Sequence, residues 1–289
     1  MRSHLLMLTT AAVYVGVGGS LLREPTLPPV ATRVETGRDT ASAPAPAPAP
    51  ARTALAVSRT VLAGVGIEGS ARRARVQNAL EVLGEQIREQ SDPDALRMAF
   101  QAYYNFAASH PERVRNPYLY FVDYGLDSKT PRGYVFDMQA LRVVDGPFTV
   151  AHGRGSEAAG EGLPTRFSNQ EGSAATSLGL FLTQETYPFV GHAGGGTYHS
   201  VGLRLTGLSG RFNSAALRRR VVAHGAPYVT PDRAGRSEGC PAMEPARARI
   251  LLPLISNGGL VFLFSPLDRN WKARDPWASE PDLTPAANG

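Results

Sequence analysis

The stretch "HGAPYVTPDRAGRSEGCPA", His224 to Ala242, holds the only cysteine in 289 residues. It begins where a short apolar run, "VVAHG" (221–225), ends. That run reads as a buried strand, which would hold His224 rigidly. A loop with Pro227, Pro231 and Gly235 follows, long enough to return and bring Cys240 near the imidazole. A cysteine nucleophile needs a thiolate, a base or imidazolium partner, and donors for an oxyanion. Gly239 lets backbone approach a substrate without a Cβ in the way. The N–H groups of Gly239 and Cys240 are the candidate oxyanion donors, whereas Pro241 has no N–H to offer. Ser237 either orients the loop or donates to the oxyanion. The competing reading is a core cysteine beside a structural histidine, since unpaired Cys packs as a small hydrophobe.

The rest of the chain weighs on that choice. Met1-Arg2 and the apolar run from Leu5 to Val17 form the pattern of an export signal, without a clear A-x-A cleavage triplet. A cleaved signal and an uncleaved anchor (residues 1–22, with 5–22 in the membrane) both fit. Either puts the remainder outside the cytoplasm. A lone cysteine in such oxidising surroundings is buried and inert, paired with another chain, or a reactive thiol.

The Ala-Pro repeat at 41–51 favours extended polyproline II, so 23–69 reads as a disordered linker. The net charge of +5 gives a mildly basic surface suited to anionic envelope polymers or membrane surfaces. The clusters "ARRAR" (71–75) and "RRR" (218–220) read as solvated helix faces. No aromatic-interleaved basic stripe points to nucleic acid.

Val76, Leu80, Leu83 and Ile87 recur at helical spacing over 70–90. A second helix starts near Pro93, capped by Ser91 or Asp92, and ends at His110-Pro111. Strand-like runs follow at 117–126, 132–144, 148–153, 176–187, 200–208, 221–225 and 260–266, with a turn expected at Asp145-Gly146-Pro147. Short helices are expected at 213–220 and 244–255. The tail from Asp268 is polar and reads as loosely attached. These elements predict a mainly β domain with flanking helices, of the α+β class.

The motifs His224-Gly225 and Ser237-Glu238-Gly239-Cys240 resemble the signature of murein L,D-transpeptidases, an HG pair followed by an S-H-G-C block. Glu238 stands where that block commonly has histidine. "GRSEGCPA" is closer to a subgroup with a GRSxGCPA motif. "VDYGLDSKTPRGYVFDM" (122–138), "VAHGRGS" (150–156), "TRFSNQEGSAATSLGLFLTQETY" (165–187) and "HSVGLRLTGL" (199–208) resemble that subgroup as well. The resemblance covers roughly residues 95–266. The glycine-rich segment 190–202 departs from it.

The resemblance implies a β-sandwich catalytic domain at 112–267, preceded by a helical segment at 70–111 and followed by a tail at 268–289. It implies acyl transfer on diaminopimelate-containing peptidoglycan stem peptides, with Cys240 as nucleophile and His224 as base. A second stem resolves the acyl-enzyme in a 3→3 transpeptidase, and water does so in an L,D-carboxypeptidase or related amidase. A non-catalytic wall-binding module is the third reading. By position, the resemblance makes Arg166, Asn169, Ser177 and His199 candidate substrate contacts, with His199 alternatively a packing residue; Arg166 and Arg236 suit bidentate pairing with stem carboxylates, each alternatively a structural ion pair. His152 either contacts substrate or orders its loop. The chemistry needs no cofactor. No H-x₃-H pair or C-x-x-C appears, so no metal is expected.

Overall fold

The computed structural model describes residues 53–158 and 161–279. Two helices come first, α1 (Thr53–Gly84) and α2 (Ala95–Ser109). The strand-rich region then runs β1 (Tyr118–Asp123), β2 (Gly133–Asp137), β3 (Arg142–Phe148), β4 (His152–Gly153), β5 (Gly179–Ala193), β6 (Gly196–Gly207) and β7 (Val222–Gly225). It continues through β8 (Val229–Thr230), β9 (Arg233–Ala234), β10 (Arg236–Ser237), β11 (Ala242–Met243), α3 (Pro245–Ile255), β12 (Leu260–Phe264) and α4 (Arg269–Arg274).

Eight strands pair in one sheet, in the order β11-β7-β6-β5-β12-β1-β2-β3. The middle strands β12 and β1 run parallel, and β12 is buried at every position. Strands covered on both faces read as continuous apolar runs, as "LVFLF" does. α2 packs on β1 and β12, and α3 on β6 and β7. Phe100 of α2 meets Phe136 of β2 edge to face at 5.4 Å. Each such fully buried side chain contributes roughly 1.5–3 kcal/mol. Two-stranded ladders, β4–β10 and β8–β9, stand beside the main sheet.

Several boundaries differ from the sequence reading. α1 begins at Thr53, inside the stretch read as linker, because no proline follows Pro50 before Pro93 and every backbone donor is available. It ends at Gly84 rather than near 90. α2 starts at Ala95, because the Asp92 carboxylate takes the N–H of Asp94 and holds 92–95 as a turn. The expected strand 132–144 is split after Asp137, whose carboxylate accepts the N–H groups of Gln139 and Ala140 and closes a turn there. Asp145-Gly146-Pro147 lies within β3 beside a register shift instead of making the turn.

The glycine-rich segment 190–202 is the far end of a long β5–β6 hairpin. Gly194 and Gly195 both have positive φ, as a two-residue loop between Ala193 and Gly196 demands. Residues 213–220 form successive hydrogen-bonded turns rather than a helix, with Arg220 at φ 56°. Asn213 diverts its side chain to Ser209 N–H and Leu180 C=O.

The tail is docked, not loose, through Ser279. Asp268 caps α4 at Trp271 N–H, and Trp271 is fully buried against Phe262 and Phe264. Lys272 bridges to Asp92 and Asp94, and Trp277 packs on Phe106. The export signal or anchor and the Ala-Pro repeat lie outside the described residues. No described helix is long and apolar enough to cross a membrane.

Candidate active site

β7 is a four-residue strand buried at every position, and it carries His224. On one side it pairs with β6, where Gly202 lies opposite His224. On the other side β11 runs parallel, with Ala242 opposite His224. The N–H of His224 bonds Pro241 C=O at 3.3 Å. The loop from β7 therefore returns and lays the residues after Cys240 along the histidine's own strand. The N–H of Val222, two residues before His224, points at Cys240 Sγ at 3.5 Å.

The His224 ring stacks on Phe189 of β5, with centroids 4.3 Å apart and planes at 22°. Its Nδ1 is 3.1 Å from Gly225 C=O. A carbonyl only accepts, so Nδ1 carries the proton and Nε2 keeps its lone pair. Nε2 has no hydrogen-bond partner among the described residues. Burial pushes the imidazole down to about 4, partly opposed by that carbonyl bond. His224 is thus a neutral base of fixed tautomer at neutral pH.

Cys240 is half-buried, not sealed in the core. Burial pushes its thiol up to about 11, while the Val222 N–H and the Arg219 guanidinium pull it down and Glu238 adds to the rise. Its turn is held from within: Ser237 Oγ donates to Cys240 C=O at 2.7 Å and accepts the Gly239 N–H at 3.1 Å. Ser237 therefore orders the loop, and Gly239 N–H is already taken. The N–H of Cys240 has no partner among the described residues and is the open donor of the expected pair. Gly239 sits at φ 121°, and a Cβ there would lie 2.9 Å from Ala175 C=O. Both facts favour glycine.

Beneath this turn lies a chain of buried polar groups. β10 pairs with β4, setting Arg236 beside His152 and Ser237 beside Gly153. Arg236 clamps both oxygens of Glu157 and donates to Ala234 and Gly235 C=O. Glu157 also takes His152 Nε2 at 3.1 Å, and Arg132 donates to His152 Nδ1 at 2.8 Å. His152 is thereby the neutral Nε2–H tautomer, driven down to about 2 by burial and then by Arg132 and Arg236. Its part is to order the loop.

The candidate substrate contacts are dispersed. The Arg236 fork is occupied by Glu157, which makes it an ion-pair residue in this structure. Ser177 is fully buried and its hydroxyl has no hydrogen-bond partner among the described residues. Asn169 spends its amide on Arg211 C=O, Ser214 Oγ and Ala215 N–H, stapling two loops. His199 is exposed on β6, one residue out of phase with Tyr198, whose ring packs near Phe189. Arg166 is exposed and tethered by one bond to Glu157 C=O. Exposed Glu238 pairs with Arg154 at 2.7 Å. No group of His, Cys, Asp and Glu suited to a metal occurs among the described residues.

The sequence reading missed Phe189, Arg219, Glu157 and Arg132. Phe189 sits in the segment that departs from the resemblance. Arg219 was hidden in "RRR", which carries no spacing to single out its middle member.

The sequence model of the L,D-transpeptidase catalytic domain matches residues 87–264. The chain belongs to this family. Among solved structures, the L,D-transpeptidase domain is similar to an L,D-transpeptidase from Mycobacterium smegmatis at 15% identity and TM-score 0.31, covering 51% of this chain and 58% of that one. It is similar to an L,D-transpeptidase from Stackebrandtia nassauensis at 13% identity and TM-score 0.32, covering 65% and 75%. For one from Mycobacterium tuberculosis the values are 14%, 0.29, 51% and 57%. The chain thus spans less than two thirds of the first of these solved relatives. A comparison with curated proteins gives no match.

Proposed function

We propose that this L,D-transpeptidase domain is a cysteine acyltransferase acting on peptidoglycan stem peptides in the cell envelope. The observation that carries the reading is the parallel β11–β7 pairing, which lines the Cys240 turn along the strand of a neutral, tautomer-fixed histidine.

In this mechanism Cys240 Sγ attacks the carbonyl between the L-centre of diaminopimelate and a terminal D-Ala. The thiol proton passes to His224 Nε2, and the Cys240 N–H faces the oxyanion. The C–N bond breaks, His224 returns the proton to the departing D-Ala amine, and a thioester remains. The amine of a second stem attacks the thioester and gives its proton to His224. Cys240 leaves as the thiol, and a 3→3 cross-link results. The thiol and imidazole both rest neutral, so proton transfer accompanies attack rather than preceding it.

Incubating the full chain with purified muropeptides and reading products by mass spectrometry tests this. Cross-linked dimers are expected, abolished by Cys240→Ala and lowered about 10²–10⁴-fold by His224→Ala. Loss of D-Ala without dimers would make the protein an L,D-carboxypeptidase. Turnover unchanged by Cys240→Ala would overturn the nucleophile. A carbapenem mass adduct on Cys240 is the quicker check of an accessible thiol.

A further inference from the structure

Arg219 belongs to no motif, yet its side chain is built into the wall of the Cys240 turn. It is half-buried, unlike its neighbours Arg218 and Arg220, which are exposed. Arg218 meets Glu171 at the surface at 3.5 Å. The Arg219 guanidinium is held by three groups of the segment facing it. Nη1 donates to Ser168 C=O at 2.6 Å, and Nη2 donates to Ala175 C=O at 2.6 Å and Ser173 Oγ at 3.2 Å. The same Nη2 lies 3.4 Å from where a Cβ on Gly239 would stand. A fixed cation therefore abuts the residue that precedes the nucleophile.

The electrostatic setting leaves this charge little competition. The groups acting on the thiol are Arg219, Glu238, the Val222 N–H and the Arg220 C=O, which accepts from Sγ at 3.9 Å. Tyr124, Tyr187, Tyr198 and Tyr228 also feel Cys240, all four raised by burial and so neutral. His224 is neutral as well. Glu238 works against a thiolate but is answered by Arg154. Arg219 is the one cation among these groups that favours negative charge on sulfur. A guanidinium suits the task because it stays charged when partly buried.

We propose that Arg219 is a positioning residue of the Cys240 site: tethered to Ser168, Ser173 and Ala175, it holds a permanent positive charge against the Gly239–Cys240 turn and favours the thiolate over the thiol. This rests on Cys240 being the nucleophile. It explains how a thiol raised by burial remains usable beside a neutral base.

The test is the pH dependence of iodoacetamide alkylation of Cys240 in the full chain, which reads the thiol without any cross-linking assay. Arg219→Gln is expected to move the apparent thiol pKa up by about half a unit or more, so that thiolate at a given pH falls at least about threefold. Arg219→Lys keeps the charge and loses part of the fork, so its thiol is expected to stay near wild type even where its melting temperature drops. Glu238→Gln is expected to move the thiol the opposite way. An unchanged pKa in Arg219→Gln would reduce Arg219 to a loop tether and overturn the proposal. Should the glutamine variant fail to fold, a lysine variant whose thiol rises does the same. A responsive thiol without cross-linking keeps this inference and sinks the transpeptidase reading. A thiol inert at every pH sinks both.

Discussion

At the scale of single residues, the site turns on which nitrogen of His224 holds its proton. The Gly225 carbonyl leaves Nε2 with the open lone pair, and burial against Phe189 keeps it unprotonated down to about pH 4. The sign follows from the role. Protonation removes the base, so activity is full above that value and falls as pH drops through it. The acid limb of kcat/KM is expected near pH 4, well below the ordinary histidine value of about 6.5. A limb at the ordinary value would mean that the ring is solvated in the free enzyme. Phe189→Ala should move the limb up toward it. None of this was legible from composition, which favours an inert cysteine. The glycine flanks and the His-Gly pair singled out the two residues, but the tautomer depends on a backbone carbonyl whose direction sequence does not encode.

At the scale of elements, the loop between β7 and β11 is fixed from below. β10 enters the Cys240 turn, and its Arg236 is locked to Glu157, which bonds His152, which Arg132 holds in turn. Arg236 looked like a substrate contact because an arginine next to a catalytic turn suits a carboxylate. The carboxylate it found was Glu157, 79 residues away in sequence and invisible to local pattern. Removing one member of such a buried network strands the others. Glu157→Gln is expected to destabilise the fold by about 3–5 kcal/mol, measured by urea unfolding. A loss within a few tenths would show that water replaces the missing charge. Strand and helix existence was readable from apolar runs such as "LVFLF". Boundaries failed where a side chain intervened, as Asp137 and Asp92 did by taking backbone N–H groups.

At the scale of the whole molecule, the C-terminal segment folds back onto α2. Lys272 of α4 pairs with Asp92 and Asp94 at the entry to α2, and Trp277 closes over Phe106 near its end. The polar composition of 268–289 concealed this, because two tryptophans outweigh many charged neighbours once buried. Trp271→Ala is expected to cost about 3–5 kcal/mol, read as a lower melting temperature. An unchanged melting temperature would mean that the tail is not docked in solution.

The placement of those tryptophans has an optical consequence. The chain has only two, Trp271 and Trp277, and both belong to the C-terminal clasp rather than to the aromatic surroundings of His224. Intrinsic fluorescence excited at the indole band is therefore a gauge of clasp docking. The surroundings of His224, furnished with Phe189, Tyr187, Tyr198 and Tyr228, are dark in that channel. A tryptophan introduced at Phe189 would light the site separately, and would let opening of the clasp and occupancy of the site be followed as two signals in one molecule.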